Sequence, residues 1–224
     1  MTGEIRARLE AVRARVETAA RAAGRSPADV TLLAVSKEIP VTAVEAALDA
    51  GQFDFGENRA QELVAKADVL AGRQPAPRWH FVGRLQRNKV RLLGPRVARW
   101  HSIDRIELGP ELARHAPGAP ALVQVNLAGE RQKGGCAPAT TAALVAQLQS
   151  DGVRVDGLMT VPPAGADPRP HFAALRSLAE RLGLRELSMG MTADFDVAIA
   201  EGATIVRVGS AVFGARREAG GLRR

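Results

Sequence analysis

Residues 31–56 read TLLAVSKEIPVTAVEAALDAGQFDFG. A short apolar run, Thr31–Ser36, leads into a helical stretch, VTAVEAALDA, and then into a second apolar run, Phe53–Gly56. The unit reads as strand, helix, strand. Six further runs repeat it: Trp79–Val82, Ala98–Ile103, Ala121–Asn126, Val155–Thr160, Glu186–Gly190 and Thr204–Gly209. Between them lie helical stretches such as ENRAQELVAKADVLA, PATTAALVAQLQ, RPHFAALRSLAERL and ADFDVAIAEG. From Thr31 to Thr204 seven repeats occupy 173 residues, about 25 each. Strands alternating with helices at this spacing pair in parallel through right-handed crossovers. Eight such units without a long insertion predict an α/β fold, a single (β/α)8 TIM barrel. An open doubly wound sheet is the alternative, because a strand count does not establish closure. Upstream, residues 4–23 predict an extra amphipathic helix with Ile5, Leu9, Val12 and Val16 on one side, stopped by Gly24 and followed by a turn at Ser26-Pro27. The expected organisation is one domain over 1–224: the N-terminal helix in 1–25, the barrel in 26–214, and a basic, frayed tail in 215–224.

The composition agrees with a globular chain: 46% of residues are hydrophobic and 25% charged. No apolar run approaches the ~20 residues of a membrane span. The opening MTGEIRARLE carries charges where a secretory signal needs an apolar stretch. The lone cysteine, Cys136, has no intrachain partner, which suits a reducing compartment. A soluble cytoplasmic protein, with no membrane partner, is expected. Positive charge is carried almost wholly by arginine: of 31 Lys+Arg, only Lys37, Lys66, Lys89 and Lys133 are lysine. Tyrosine is absent. The net charge of +7 suits association with phosphates or nucleic acid. From Arg78 to Arg99 there are seven basic residues and no acidic one. No aromatic residue is interleaved for base stacking, since Trp79 and Phe81 belong to a strand-like run. A solvated basic face around a short helix is therefore expected, not a nucleic-acid site.

In such barrels chemistry gathers where strands end. Those ends are polar here: Ser36-Lys37, Gly56-Glu57-Asn58, His80, Gln124 and Asn126, Thr160, Ser188 to Thr192, Arg207 and Gly209-Ser210. Alternation puts Leu33, Val35 and Lys37 on one face of the first strand. A lysine at the mouth of a barrel is partly desolvated, which favours its neutral, nucleophilic amine and Schiff-base chemistry; the other reading is a lysine pointing into solvent. The loops SMGMTAD and GSAVFG follow the last two strands, where barrels often bind phosphate through backbone N–H groups. In TIVRVG, Val206 and Val208 face the outer helices, so Ile205 and Arg207 face inward. A buried guanidinium needs an acceptor, and the strand interiors offer few carboxylates, so a ligand is the more economical partner. His80 reads equally well as a satisfied core histidine. Together the pieces describe a phosphorylated aldehyde such as pyridoxal 5′-phosphate: aldehyde on Lys37, phosphate on the two loops, ring nitrogen on Arg207. A Schiff-base aldolase for sugar phosphates is the chemical rival, although such enzymes usually carry their lysine on a later strand. Four scattered histidines and one cysteine show no metal-ligand spacing, and no GxxxxGK[ST] or GxSxG motif occurs.

The segments LLAVSKEIP, FGENRAQE, WHFVGRLQRNKVR, HSIDR, LVQVN, GLMTVPP and LSMGMTADFDVAIAEGATIVRVGSAVFGAR, in order from about Arg6 to Arg216, resemble the YggS/PROSC-type pyridoxal phosphate homeostasis proteins. The resemblance implies the fold-type III barrel of the alanine racemase N-terminal domain and binding of pyridoxal 5′-phosphate. It implies a role in buffering or delivering that cofactor to pyridoxal-phosphate-dependent apoenzymes, within vitamin B6 balance and without robust catalysis. It makes Lys37 the Schiff-base lysine. Ser188, Gly190, Met191, Gly209 and Ser210 become the phosphate cradle, Arg207 the partner of the pyridine nitrogen, and Asn58 and His80 part of the pocket lining. This chain departs from the family pattern at Glu38, where threonine is frequent, at Arg59, where tyrosine is frequent, and at Thr192, where serine is. Lys133, in ERQKGG after the fifth strand, matches the family's E-x-x-K-x-G stretch and stands as a possible accessory group, either recruiting the phosphate or accepting the aldehyde during transfer; the other reading is a solvated loop lysine.

Racemisation needs a base on each face of the carbanion. Alanine racemases supply the second as a tyrosine from an appended domain, and this chain has no tyrosine. Arginine against the pyridine nitrogen also leaves the ring unprotonated and a poor electron sink. A carrier is expected, with weak racemase or transaminase activity as the alternative. With no second domain to demand a partner, a monomer is expected.

Overall fold

The computed structural model describes residues 2–130 and 132–215; the basic tail expected at 215–224 lies outside the described residues from 216 onward. Eight parallel strands form a closed barrel in sequence order. They are β1 (Thr31–Val35), β2 (Asp54–Glu57), β3 (Arg78–Phe81), β4 (Val97–Ile103), β5 (Ala121–Gln124), β6 (Val155–Met159), β7 (Glu186–Ser188) and β8 (Ile205–Val208). Closure, which a strand count leaves open, comes from β1 pairing with β8 through Thr31↔Ile205 to Ala34↔Val208. The open sheet is thereby excluded.

Helices alternate with the strands: α2 (Val41–Asp49), α3 (Ala60–Val69), α4 (Val90–Leu93), α5 (Gly109–His115), α6 (Thr141–Ser150), α7 (Arg169–Arg181), α8 (Phe195–Ala200) and α9 (Ser210–Phe213). They are preceded by α1 (Thr2–Ala22). On α1 the apolar positions recur every three or four residues, and Ile5, Leu9, Val12, Val16 and Ala20 are all buried. That face lies across α2, α8 and α9, where the last unit meets the first. At its end a capping box on Ser26 turns the chain into β1.

Strand alternation sorts the apolar residues into two cores. Ala34, Val206 and Val208 belong to the large cluster between the sheet and the helices. Leu33, Leu122, Met159 and Ile205 form a small one inside the barrel. The remainder of the interior is polar. His80, His101, Ser188 and Arg207 are buried there, where aliphatic side chains usually fill such barrels.

The basic segment is a solvated face in part neutralised by ion pairs. Arg78 pairs with Asp54, Arg87 with Glu111, Arg96 with Asp68 and Arg99 with Asp156. Among the described residues, no helix is long and apolar enough to cross a membrane.

Candidate functional site

A cavity of about 480 Å³ opens at the carboxyl ends of the strands. That volume lies in the range of small-ligand pockets. Lys37, Asn58, Met191, Arg207, Gly209 and Ser210 are all on its wall, with Val35, Val82, Gly83, Met159, Thr192 and Ala193 among their neighbours.

Lys37 follows β1 by two residues and keeps the inward parity of Leu33 and Val35. It is half-buried, and among the described residues its amine has no hydrogen bond or ion pair. The backbone on both sides of it is tied down by a lysine whose role the sequence reading did not single out. Lys66 on α3 is buried, 6% exposed. Its Nζ donates to the Ser36 carbonyl at 2.6 Å, to Glu57 at 2.7 Å and to Glu62 at 2.7 Å. The Ser36 hydroxyl donates to the same Glu57 oxygen at 2.7 Å, and the Glu38 N–H donates to Glu62 at 2.6 Å. Burial pushes the Glu57 carboxyl up in spite of Lys66 and Ser36. Glu38 has the left-handed backbone angle φ 63 that this clamp requires. Two departures from the family pattern also meet here: Glu38 and Arg59 form an exposed ion pair at 3.0 Å.

Next to Lys37 around the rim, since β8 pairs with β1, the loops after β7 and β8 meet, with the Ser210 and Thr192 hydroxyl oxygens 3.4 Å apart. Among the described residues, the backbone N–H groups of Thr192, Ala193, Gly209 and Ser210 donate to no protein acceptor. The Met191 N–H is already held by Asp194 at 2.6 Å. Gly190 does not reach the cavity, and its requirement is steric. Its φ is 88, and a Cβ there would lie 2.5 Å from the Ala198 Cβ. At Gly209 a Cβ would stand 3.2 Å from the Val35 carbonyl oxygen.

Arg207 is 5% exposed. Its Nη1 donates to the Ser188 hydroxyl at 2.7 Å and its Nη2 to the Thr160 carbonyl at 2.8 Å. Among the described residues it has no ion pair within 4.0 Å. Burial lowers its pKa to about 10, against the pull of Asp194, so the guanidinium is charged at neutral pH. Two of its five N–H donors are thus used. Asn58 lies beside the cavity with its Oδ1 buried and unpartnered, pressed by the close backbone approach of Gly83.

Two expected lining residues lie elsewhere. His80, 5% exposed, does not reach the cavity: its Nδ1 lies 2.9 Å from Nε2 of His101 and its Nε2 3.2 Å from Asp54. Ser188, expected in the anion cradle, is fully buried and bonded to Arg207 and to Nδ1 of His101 at 2.9 Å. Both lie one layer below the cavity, because its wall is formed by residues further along the same segments: Val82, two residues after His80 on the same face, and Met191, three residues after Ser188. Lys133 is on the same rim but off the cavity wall, its amine 2.9 Å from the Pro162 carbonyl and 2.5 Å from Glu130. His101 and Lys66 were not singled out from the sequence. The available signals were a histidine inside the strand-like run RWHSI, and one of only four lysines in a chain that otherwise uses arginine.

The fold and this site together define a (β/α)8 barrel whose cavity brings an amine just past its first strand together with unpaired backbone N–H groups in the loops after its last two. The chain belongs to the family of the alanine racemase N-terminal domain, which matches residues 7–217. It is 46% identical over 215 residues to the pyridoxal phosphate homeostasis protein of Pseudomonas aeruginosa, covering 92% of this chain and 93% of that one. To the protein of the same name from Aquifex aeolicus it is 40% identical over 224 residues, covering 94% and 97%. The structure of PipY from Synechococcus elongatus with PLP bound superposes with a TM-score of 0.80 at 34% identity, covering 94% of this chain and all of that one.

Proposed function

We propose that this protein binds pyridoxal 5′-phosphate at the carboxyl mouth of its barrel, carries it as a Schiff base on Lys37, and holds and delivers it in vitamin B6 homeostasis. The observation that carries this reading is one cavity whose wall combines an unpartnered amine, a buried guanidinium with unused donors and four unpaired backbone N–H groups. Each fits a part of the cofactor. Lys37 suits the aldehyde. Thr192, Ala193, Gly209 and Ser210 suit the phosphate, since unpaired N–H groups favour an anion. Arg207, a donor without acceptor capacity, suits the ring nitrogen, and Asn58 suits a ring substituent. The cofactor-bound relative and the names of the other relatives support the same reading.

Bound, the cofactor supplies a carbonyl that condenses with amines and a ring that withdraws electrons. Lys37 contributes the amine nitrogen, with water as the leaving group, and the Lys66 clamp holds its backbone in register. Carrying is favoured over turnover because Lys37 and Arg207 are the only ionisable side chains on the described cavity wall. Racemisation needs two bases, and arginine does not release its proton. A weak racemase or transaminase is the alternative. The domain is read as one unit, monomeric and cytoplasmic, with pyridoxal-phosphate-dependent apoenzymes as recipients. The aromatics of the basic segment, Trp79 and Phe81, are buried in β3 and unable to stack on bases, which speaks against nucleic acid. Lys133, on the rim, is proposed to assist entry and transfer; unchanged cofactor on- and off-rates in Lys133→Ala would remove it from the scheme.

The test is borohydride reduction of the loaded protein followed by peptide mass spectrometry. The adduct is expected on Lys37 and is expected to vanish in Lys37→Ala. An adduct on a different lysine, with Lys37 unmodified, refutes the assignment. Many turnovers of L- or D-amino acids by the pure protein would defeat the carrier reading.

A further inference from the structure

Below the cavity a file of polar side chains runs down the barrel interior. Arg207 meets Ser188, Ser188 meets His101, His101 meets His80, and His80 meets Asp54 at the start of β2. The contacts are 2.7, 2.9, 2.9 and 3.2 Å. The two ends determine every proton between them. Arginine can only donate, and an ionised carboxylate can only accept. Asp54 is ionised: burial alone would raise its pKa, but the hydrogen bonds from His80 and Arg78 outweigh it and hold it at about 2. His80 must therefore donate to Asp54 from Nε2, which leaves its Nδ1 as acceptor. His101 donates to that nitrogen from its own Nε2, and its Nδ1 accepts from the Ser188 hydroxyl. Ser188 Oγ in turn accepts from Arg207. No link is left unsatisfied and no ring needs a second proton. Burial holds both histidines below their ordinary pKa, helped by Arg99 on each ring and by Arg207 on His101. Placing five polar groups where the barrel could hold aliphatic ones is costly unless all are paired. The file is paired, and its upper end is the one guanidinium on the cavity wall.

We infer that Asp54, His80, His101 and Ser188 are positioning residues for Arg207: a hydrogen-bond chain of single direction that fixes the guanidinium's plane and turns its unused donors toward the ligand's ring nitrogen. The inference rests on the reading of Arg207 as the pyridine partner. It also couples the cavity to a carboxylate at the opposite mouth of the barrel.

The first test needs no cofactor. In protein labelled with 15N-histidine, His80 and His101 are both expected as neutral Nε2–H tautomers at neutral pH. A proton on Nδ1 of either ring overturns the chain. The second test uses the loaded protein. Ser188→Ala is expected to bind pyridoxal phosphate roughly tenfold more weakly, as for a lost hydrogen bond to a charged group, and to shift the visible absorption band of the bound cofactor. Asp54→Asn touches nothing in the cavity and is expected to shift the same band. Arg78→Gln, which removes the other partner of Asp54, is expected to leave it in place. Wild-type spectra and affinity in both Ser188→Ala and Asp54→Asn overturn the positioning role. If the wild-type chain took up no cofactor while both tautomers were as expected, the functional reading and the positioning role would fall together, and only the polarity of the chain would stand.

Discussion

Acidification by one unit below pH 6.5 is expected to weaken the fold through two histidines, by at most about 2 kcal/mol. His80 and His101 are 5% and 0% exposed. Burial, the largest cause, pushes the pKa of each below its ordinary 6.5, that of His101 well below. For His80 the bond to Asp54 opposes the shift without reversing it. In the unfolded chain both rings return to about 6.5. A folded pKa below the unfolded one means that the unfolded chain binds more protons. Stability is therefore complete above about pH 6.5 and is lost as the pH falls below it. A ring that stays neutral in the fold loses about 1 kcal/mol over that first unit, so about 2 kcal/mol is the ceiling for the pair, with His101, the more strongly shifted ring, giving the larger share. Against a total stability of about 5–15 kcal/mol this is readily measured. The assay is guanidinium unfolding followed by fluorescence of the buried Trp79 and Trp100, at the two pH values. Glu57 and Asp156, both raised by burial, act with the opposite sign. The histidine share is therefore isolated with His101→Leu, which should retain no more than half of the slope. A wild-type stability that is flat across this unit, or a variant that keeps the whole slope, would refute the reasoning.

Three other outcomes follow from the same geometry. Gly190→Ala should destabilise by about 2 kcal/mol or more, since a left-handed backbone angle costs a side chain ~1–2 kcal/mol and the new methyl would overpack against Ala198; thermal unfolding checks it. Lys66→Met should cost about 3–5 kcal/mol, because it strands the buried Glu57 carboxylate, and Lys66→Met with Glu57→Gln should recover most of that loss in the same melt. Saturation with pyridoxal phosphate at a hundredfold excess over Kd should stabilise the wild type by about 2.7 kcal/mol, and an unchanged melting temperature would contradict binding to the folded state.

The barrel was legible because its signals are local and periodic. A repeat of about 25 residues needs only strand, helix and turn chemistry, each written within a few neighbours. Two-residue alternation then assigned faces: Ile205 and Arg207 were expected to point inward, and Leu33, Val35 and Lys37 to share one face of the first strand. The structure puts Leu33 and Ile205 in the inner core and Lys37 and Arg207 on the cavity wall. His80 and Ser188 were inward too, but how far along the axis each would sit was not readable. Parity says which face a residue takes, not which layer it joins.

Amino-acid order alone settled the α/β class, the number of units, the apolar face of α1 and which residues of a strand share a face, since spacing along one chain governs all of these. Only the closed tertiary structure settled the pairing of β1 with β8, the drop of His80 and Ser188 below the cavity, and the meeting of Lys66 with Ser36, Glu57 and Glu62. Those partners come from different strands and helices, and the shear and diameter of the finished barrel decide which of them touch.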